Sequence, residues 1–463
     1  MHSKRFPRSL ATIVALAAAW PLAALAEPQP DPTFGNNGVV DVALPGANFY
    51  NPAHVEVLPD RRIAVARADS GADSTTGAWT ASFARLLPGG GLDPTFGSGG
   101  TVTFVLRSTP ASFSQIDGRH VRADGSQIVL LHSWPTDGSS APPAETVLLS
   151  VTADGRLDPA FNGGQPLQIA PYLGEKLFVD NSAIIVAGID SERCCDNTTG
   201  FFAQRFLANG TLDTAFGTGG TLDIEATQTH ILDAMPIPGG GFQVLHEEAT
   251  PEGRRNFWRR HRTNGSVDTA FGNGGDRDVP TLDGLGILAV HPLGDGTWLA
   301  MQTSSCPRRI LDAQGSVIDT FSTTCPYPFP STQTRFGADV WGSRLLLHGE
   351  QRTGFLPLPS DGPYVWALDR DGRFDALFSQ PQDAYRWRLP GTASKSYDVA
   401  VDGTDRFVAV SAEFAADSVR VTRFVERRGG GASQPIPALG VPGVLLLLGG
   451  AAVLARRRLT SVR

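Results

Sequence analysis

The sequence predicts an all-β chain in which seven repeated units of four strands each close into a ring. Three observations predict it. One short motif returns along the chain, every copy is followed by the same succession of β-rich runs, and the two ends of the repeated region complement each other.

The motif is a Gly, then Leu, Val or Phe, then Asp, two residues, Phe, and usually a glycine pair. Its copies read DPTFGNNG, GGLDPTFGSGG, GRLDPAFNGG, GTLDTAFGTGG, GSVDTAFGNGG, GSVIDTF and GRFDALF. Its phenylalanines are Phe34, Phe96, Phe161, Phe216, Phe271, Phe321 and Phe378. Its aspartates are Asp31, Asp93, Asp158, Asp213, Asp268 and Asp375, and Ile318 stands at the remaining position. Recurrence over this length marks an array of small units of one design.

The runs between motifs follow one order. A short β-rich run such as Thr101–Leu106 comes first. A second run leads to a tight turn such as Ala123–Gly125. A third is strongly apolar (IAVA, IVLL, AIIVAG, FQVL, WLAM, LLLH, FVAV), and a fourth ends at TADG, LANG, RTNG or DRDG. β-Branched and aromatic runs bounded by such dipeptides are strands joined by turns. No comparable stretch of residues 27–428 has helical periodicity. Four strands per unit in an all-β chain make a seven-bladed β-propeller of four-stranded blades. The first motif, at Asp31, has no strand before it, and the last strand, Ser418–Glu426, has no motif after it. Pairing that strand with the run Val39–Leu44 closes the array and removes its open edges.

Within the chain, Phe is more constant than Asp, because Ile318 replaces Asp while Phe321 stays. The aspartates are therefore expected to shape turns through their own backbone. The phenylalanines are expected to wedge between neighbouring blades. The motifs resemble the delta-60 repeat family, in which a strand ends at x-[DN]-G and S-L-D-x-x-F-G-x-G-G follows. The resemblance covers nearly all of residues 31–428. It implies a β-propeller and brings no biochemical activity and no catalytic residue.

The ends carry an address. Lys4, Arg5 and Arg8 precede the apolar run Leu10–Leu25, and Ala24-Leu25-Ala26 is a cleavage site with Ala26 as its last residue. Residues 1–26 therefore read as a secretory signal helix. Residues 429–435 form a Gly/Ser/Pro linker. Residues 436–455 are an uncharged run long enough for a transmembrane helix, and 456–463 form a basic cytoplasmic tail led by Arg456, Arg457 and Arg458. The tail resembles bacterial C-terminal sorting signals of the Ile-Pro-Thr-Leu type. Here Ile436-Pro437-Ala438-Leu439-Gly440 is followed by Val441-Pro442-Gly443 in place of Trp-Gly, a departure that leaves a permanent anchor as the alternative to processing. The expected location is outside the cytoplasm of a Gram-negative bacterium, as an inner-membrane anchor facing the periplasm or at the cell surface after sorting.

The formal net charge is −7; residues 1–26 carry +3 and residues 456–463 carry +4, so the part between is strongly acidic. Such a body does not suit a phosphate backbone and excludes nucleic acid as the expected partner. It would attract divalent cations only at its surface, and no cofactor or resident metal is expected. Four cysteines lie in the exported part, where disulfides form. Cys306 begins a fourth run and Cys325 ends the next first run, which places both at one face and makes them a candidate pair. Cys194 and Cys195 are adjacent: a vicinal disulfide, free thiols and metal ligation all stay open for them, although two sulfurs without a nearby His make a poor metal site.

No G-x-S-x-G, H-E-x-x-H, P-loop or C-x-x-C is present. His132, His246 and His348 lie on third runs without forming a ring, and each reads as a packing or surface histidine. The most variable segments join third and fourth runs, at 69–79, 133–145, 190–200, 247–256 and 350–364. Variable loops on a rigid frame suit recognition. The expected function is a monomeric, non-catalytic scaffold binding a protein or glycan. The alternatives are a hydrolase or lyase with acids and histidines in a central funnel, and an envelope component without a specific ligand.

Overall fold

Antiparallel strands account for almost all regular structure in the computed structural model. It describes residues 25–428, apart from the segments 47–52, 72–76, 109–112, 135–144, 170–172, 180–182, 190–199, 226–228, 252, 280–286, 294–295, 303–306, 321–335, 342–343, 352–361, 369–386, 389–395 and 413–416. The expected signal, linker, membrane segment and basic tail lie outside the described residues, except that Leu25 and Ala26 begin a strand, Leu25–Pro30. Among the described residues no helix is long and apolar enough to cross a membrane. Residues Glu27–Glu426 make one compact unit.

The described strands fall into seven sheets. Sheet one is Ala53–Val57, Ile63–Asp69, Trp79–Leu86 and Thr101–Arg107. Sheet two is Phe113–Val121, Gln127–Trp134, Glu145–Val151 and Leu167–Ile169. Sheet three is Leu173–Val179, Ala183–Ile189, Gly200–Leu207 and Thr221–Glu225. Sheet four is Thr229–Pro236, Phe242–Thr250, Gly253–His261 and Asp276–Val279. Sheet five is Ile287–Pro292, Trp298–Gln302, Pro307–Leu311 and Val317–Thr320. Sheet six is Phe336–Trp341, Arg344–Gln351, Gly362–Leu368 and Trp387–Arg388. Sheet seven is Ser396–Val401, Arg406–Ala412 and Ser418–Arg428, and its last strand pairs with both Leu25–Pro30 and Val39–Ala43.

A sheet is thus offset from the sequence repeat. It takes the second, third and fourth runs of one repeat and the first run of the next. The offset explains why the third runs are the most apolar: they are the second strands of their sheets and lie inside them. Ile63–Asp69 and Trp79–Leu86 are buried along their whole length, whereas the outer strand Thr101–Arg107 alternates and leaves Val105 62% exposed. In sheet seven the outer place is filled from the other end of the chain, with Val39 opposite Thr422 and Val42 opposite Val419.

Apolar layers join consecutive sheets, and a motif phenylalanine sits in five of those described. Phe34 packs with Val55 and Val65 of sheet one and Val408 and Val421 of sheet seven. Phe96 lies between sheets one and two, Phe161 between two and three, Phe216 between three and four, and Phe271 between four and five. Sheets six and seven share a layer around Trp341 and Phe407. The first strands of sheets five and six are in contact, as are those of six and seven and those of seven and one.

One expected loop is shorter than anticipated. The 247–256 segment is mostly hairpin, because the strands of sheet four run on to Thr250 and restart at Gly253. Phe321, Phe378, Asp375, Cys194, Cys195, Cys306 and Cys325 lie outside the described residues, so the candidate pairing of Cys306 with Cys325 does too.

Candidate functional site

Two constellations gather the polar chemistry of the described residues: a clamp that recurs at the motif, and a group of ionisable side chains on the first strands of the sheets.

The clamp starts with the motif turn. Asp31 Oδ1 accepts the Thr33 N–H at 2.9 Å and Phe34 N–H donates to Asp31 O at 3.0 Å. The same Asx turn recurs at Asp93, Asp158, Asp213 and Asp268. The residue after Phe then takes positive φ, at Gly35, Gly97, Gly217 and Gly272, with Asn162 substituting at φ 47°. A Cβ at Gly217 would lie 2.1 Å from Thr221 O, so both conformation and space favour glycine. That residue's N–H donates to the last turn of the following sheet: Gly35 to Gly89 O, Gly97 to Asp154 O, Asn162 to Asn209 O and Gly217 to Asn264 O, all at 2.8–2.9 Å.

The aspartates do more than shape turns. Arg85 Nε donates to Asp93 Oδ2 at 2.7 Å and its Nη2 to Thr95 Oγ1 at 2.8 Å; its Nη1 donates to Ala153 O of sheet two, and its guanidinium lies 4.9 Å from the Phe96 ring centre. One arginine therefore ties together an acid, a wedge and the next sheet. Burial alone would raise the Asp93 pKa, but the Thr95 hydrogen bonds and the charges of Arg85 and Arg62 outweigh it and hold it at about 2. Arg205 repeats the clamp with Asp213 at 3.3 Å and Thr263 O at 2.9 Å. Arg260 lies 3.8 Å from the centre of the Phe271 ring. At the corresponding place before Asp158 stands Ser150, whose hydroxyl reaches Asp158 Oδ2 at 3.2 Å.

Arg423 makes the same clamp between sheets seven and one. Its Nε donates to Asp31 Oδ2 at 2.9 Å, its Nη2 to Thr33 Oγ1 at 3.2 Å and its Nη1 to Pro88 O at 2.5 Å, and it lies 4.7 Å from the centre of the Phe34 ring. Arg61 adds a two-pronged bond to Asp402, at 3.0 and 3.1 Å. Sequence reading missed these arginines. The signal was present: Arg85, Arg205 and Arg260 each stand eight residues before a motif Asp, and the copy with Ile318 in place of Asp has Ile310 in place of Arg.

The second constellation lies on the first strands. In sheets two to five these strands carry a register shift, for example between Ile231 and Asp233. Such a bulge re-aims the next side chain. Asp233 Oδ2 accepts the Val290 N–H of sheet five at 2.9 Å, and Lys176 Nζ of sheet three meets Asp233 Oδ1 at 2.7 Å. In the same way Asp398 Oδ2 of sheet seven accepts the Val55 N–H of sheet one at 3.0 Å. Around Asp398 stand His54 Nδ1 at 3.6 Å and His348 Nδ1 at 3.8 Å, and His348 Nε2 is 3.8 Å from Asp339 Oδ2. Glu56 and Arg119 complete the group, with Arg119 Nη1 donating to His54 O at 3.4 Å.

The two aspartates are driven apart. Partial desolvation and the charges of Asp398 and Glu56 shift Asp339 upward, with 38% of its side chain still open to solvent. Burial acts the same way on Asp398, but the contacts with His54 and His348 and the Val55 N–H bring it below the ordinary value. Burial holds His348 below the usual histidine range. His348, expected to be a packing or surface residue, is buried and lies beside this acidic group. His132 pairs with Asp117, and His246 stacks on Phe257 at 4.9 Å. No group of three or more metal-ligating side chains suited to a metal ion occurs among the described residues.

Sheets packed in succession through wedged aromatics define a β-propeller. Residues 183–216 match the family model described as a domain of unknown function (DUF5122) beta-propeller. No curated protein matches the chain. Among solved structures, similarity extends to one from an analysis of two prolyl endopeptidases (14% identity, TM-score 0.40, covering 78% of this chain and 45% of that one). It extends also to the Hadza microbial sialidase Hz136 (10%, 0.37, 82% and 66%) and the polysaccharide lyase Uly1 (8%, 0.43, 85% and 91%). The chain spans less than half the length of the first of these and 66% of the second.

Proposed function

We propose that this chain is an exported binding scaffold held at the cell envelope, a closed ring of seven four-stranded blades that offers its variable loops to a protein or glycan. One observation carries the reading. The residues that the repeat keeps constant are engaged in clamps between sheets, and the Arg423 clamp across the termini repeats the Arg85 clamp between neighbours. What differs between repeats is the set of loops joining second and third strands, and differences on a fixed frame are where recognition is built. Residues 1–26 direct export, and 436–455 anchor the protein in the inner membrane, facing the periplasm, or mark it for sorting to the surface. It works as a monomer, without cofactor and without nucleic acid. Arrayed glycans and purified envelope proteins probed with residues 27–428 test the reading. Binding that is lost when loops 69–79 and 350–364 are replaced by short turns, with unfolding unchanged, supports it; binding indifferent to both replacements refutes it. Fractionation tests the address: truncation after Arg428 releases a folded protein from the membrane fraction.

A second reading, a hydrolase or lyase, is favoured by the separated acidities of Asp339 and Asp398. A carboxyl protonated near neutrality beside an ionised one is the arrangement of a general acid and its partner. Chromogenic glycosides and uronate polymers test it, with cleavage by the wild type and none by Asp339→Asn.

A further inference from the structure

Sheet four departs from the repeated clamp. Arg85 and Arg423 each bond the motif Asp and lie by one motif phenylalanine. Arg260 stands at their place, but there Arg262 holds Asp268 Oδ1, at 3.0 and 3.2 Å. A second arginine joins Arg260. Two residues after Gly100 and Gly220 the outer strands carry Val102 and Leu222, which pack against the apolar layers; two residues after Gly275 stands Arg277. Arg260 and Arg277 therefore lie 3.8 and 4.3 Å from the centre of the same Phe271 ring.

Neither guanidinium has a carboxylate partner among the described residues. Arg260 Nη2 meets Gln243 Oε1 and Gln314 O, both at 3.5 Å, and its Nε has no acceptor. Arg277 Nη1 donates to Ser316 Oγ at 2.6 Å. The nearby acids are engaged elsewhere. Asp276 takes a two-pronged bond from Arg259, Asp278 is paired with Arg255, and Asp312 accepts the N–H groups of Gln314 and Ser316. Trp258 is fully buried, and its Nε1–H, which lies against Gly315, has no acceptor either. Burial, and then the like charge of Arg277, pull Arg260 below the usual guanidinium range. Two like charges partly removed from water call for a counter-charge. At the equivalent junction between sheets one and two, an open groove of about 580 Å³ is lined by Val102 and the 155–157 turn. The repeat puts Arg277 and the 315–317 turn at those places.

We propose that Arg260, Arg277 and Ser316 form an oxyanion site between sheets four and five, taking the carboxylate or sulfate group of a small acidic ligand such as a uronic acid. Two guanidinium forks match such a group, and the Phe271 ring holds them in place. The ligand is small because the strongly acidic body repels a long polyanion. The site uses none of the variable loops, so it and the scaffold reading can fail independently.

Calorimetric titration of the purified chain with glucuronate, inorganic sulfate and neutral glucose tests it, in chloride at matched ionic strength. At least one of the two anions should bind, and glucose should not. Binding of glucuronate alone identifies a sugar carboxylate as the ligand; binding of sulfate identifies a free or esterified sulfate. Arg277→Val, which restores the residue of sheet one, should weaken binding about tenfold, the loss of one charge-assisted bond, and should not lower the urea midpoint. Arg277→Leu, the residue of sheet three, serves should the first variant fail to fold. Absence of binding by both anions, or equal binding by the wild type and the variants, overturns the site.

Discussion

Phe216 has no exposed surface and packs against Ile185, Val244 and Phe242, so its truncation empties a site on which two sheets close. Phe216→Ala should cost about 3–5 kcal/mol in urea unfolding. The motif acids divide by burial. Asp93 and its partner Arg85 have 3% and 4% of their side chains exposed, whereas Asp213 and Arg205 each have 17%. Asp93→Ala leaves a guanidinium buried without its counter-charge and should cost about 3–5 kcal/mol; Asp213→Ala should cost about 1 kcal/mol, near the loss of a cap. Equal losses would show that the turn, and not the ion pair, sets the cost. Asp93 also predicts an acid limb. Its folded pKa of about 2 lies below the unfolded value of 3.8. The stability it supplies is present above about pH 4 and lost as pH falls toward 2. Acid titration of unfolding should therefore show a loss of about 2 kcal/mol in the wild type that Asp93→Asn lacks.

The element scale separates what the sequence could tell from what it could not. Strand identity was legible because β-branched runs and Asp-Gly or Asn-Gly turns are local signals, and the expected run Thr101–Leu106 is a strand to Arg107. The wedge was legible at Phe34, Phe96, Phe161, Phe216 and Phe271 because they recur at one place in the motif. The offset between sheet and repeat left no local mark, since it depends on which run pairs with which. The neighbours of His348 were hidden for a related reason. Parity along one strand gives the face, but only packing gives the neighbour on the next sheet, and that neighbour is Asp398. Asp339 likewise looks like an ordinary strand residue until Asp398 and Glu56 are placed beside it. The arginine eight residues before Asp93, Asp213 and Asp268 was visible as spacing, yet spacing of eight has no meaning in a strand until a turn folds it back.

At the scale of the molecule, the chain is held at its termini by pairs that are hundreds of residues apart in sequence. Asp41 faces Arg420 across the join between Val39–Ala43 and Ser418–Arg428, and Arg420 Nε reaches Asp41 Oδ1 at 2.8 Å. Both side chains are partly exposed, at 58% and 37%, so the pair adds little by itself. It marks, however, a place where a cross-link would act on almost all of residues Glu27–Glu426. A disulfide between cysteines at 41 and 420 would close nearly the full length of the chain. The chain-entropy model then gives about 6 kcal/mol of stabilisation as an upper bound, less whatever strain the bridge introduces. The native Cys194, Cys195, Cys306 and Cys325 should be replaced by serine in the host. The oxidised protein should unfold at higher denaturant than the same protein reduced, and the reduced form should match the host. If Ser418–Arg428 and Val39–Ala43 were separate in solution, the bridge would form poorly and oxidation would leave the midpoint where it was.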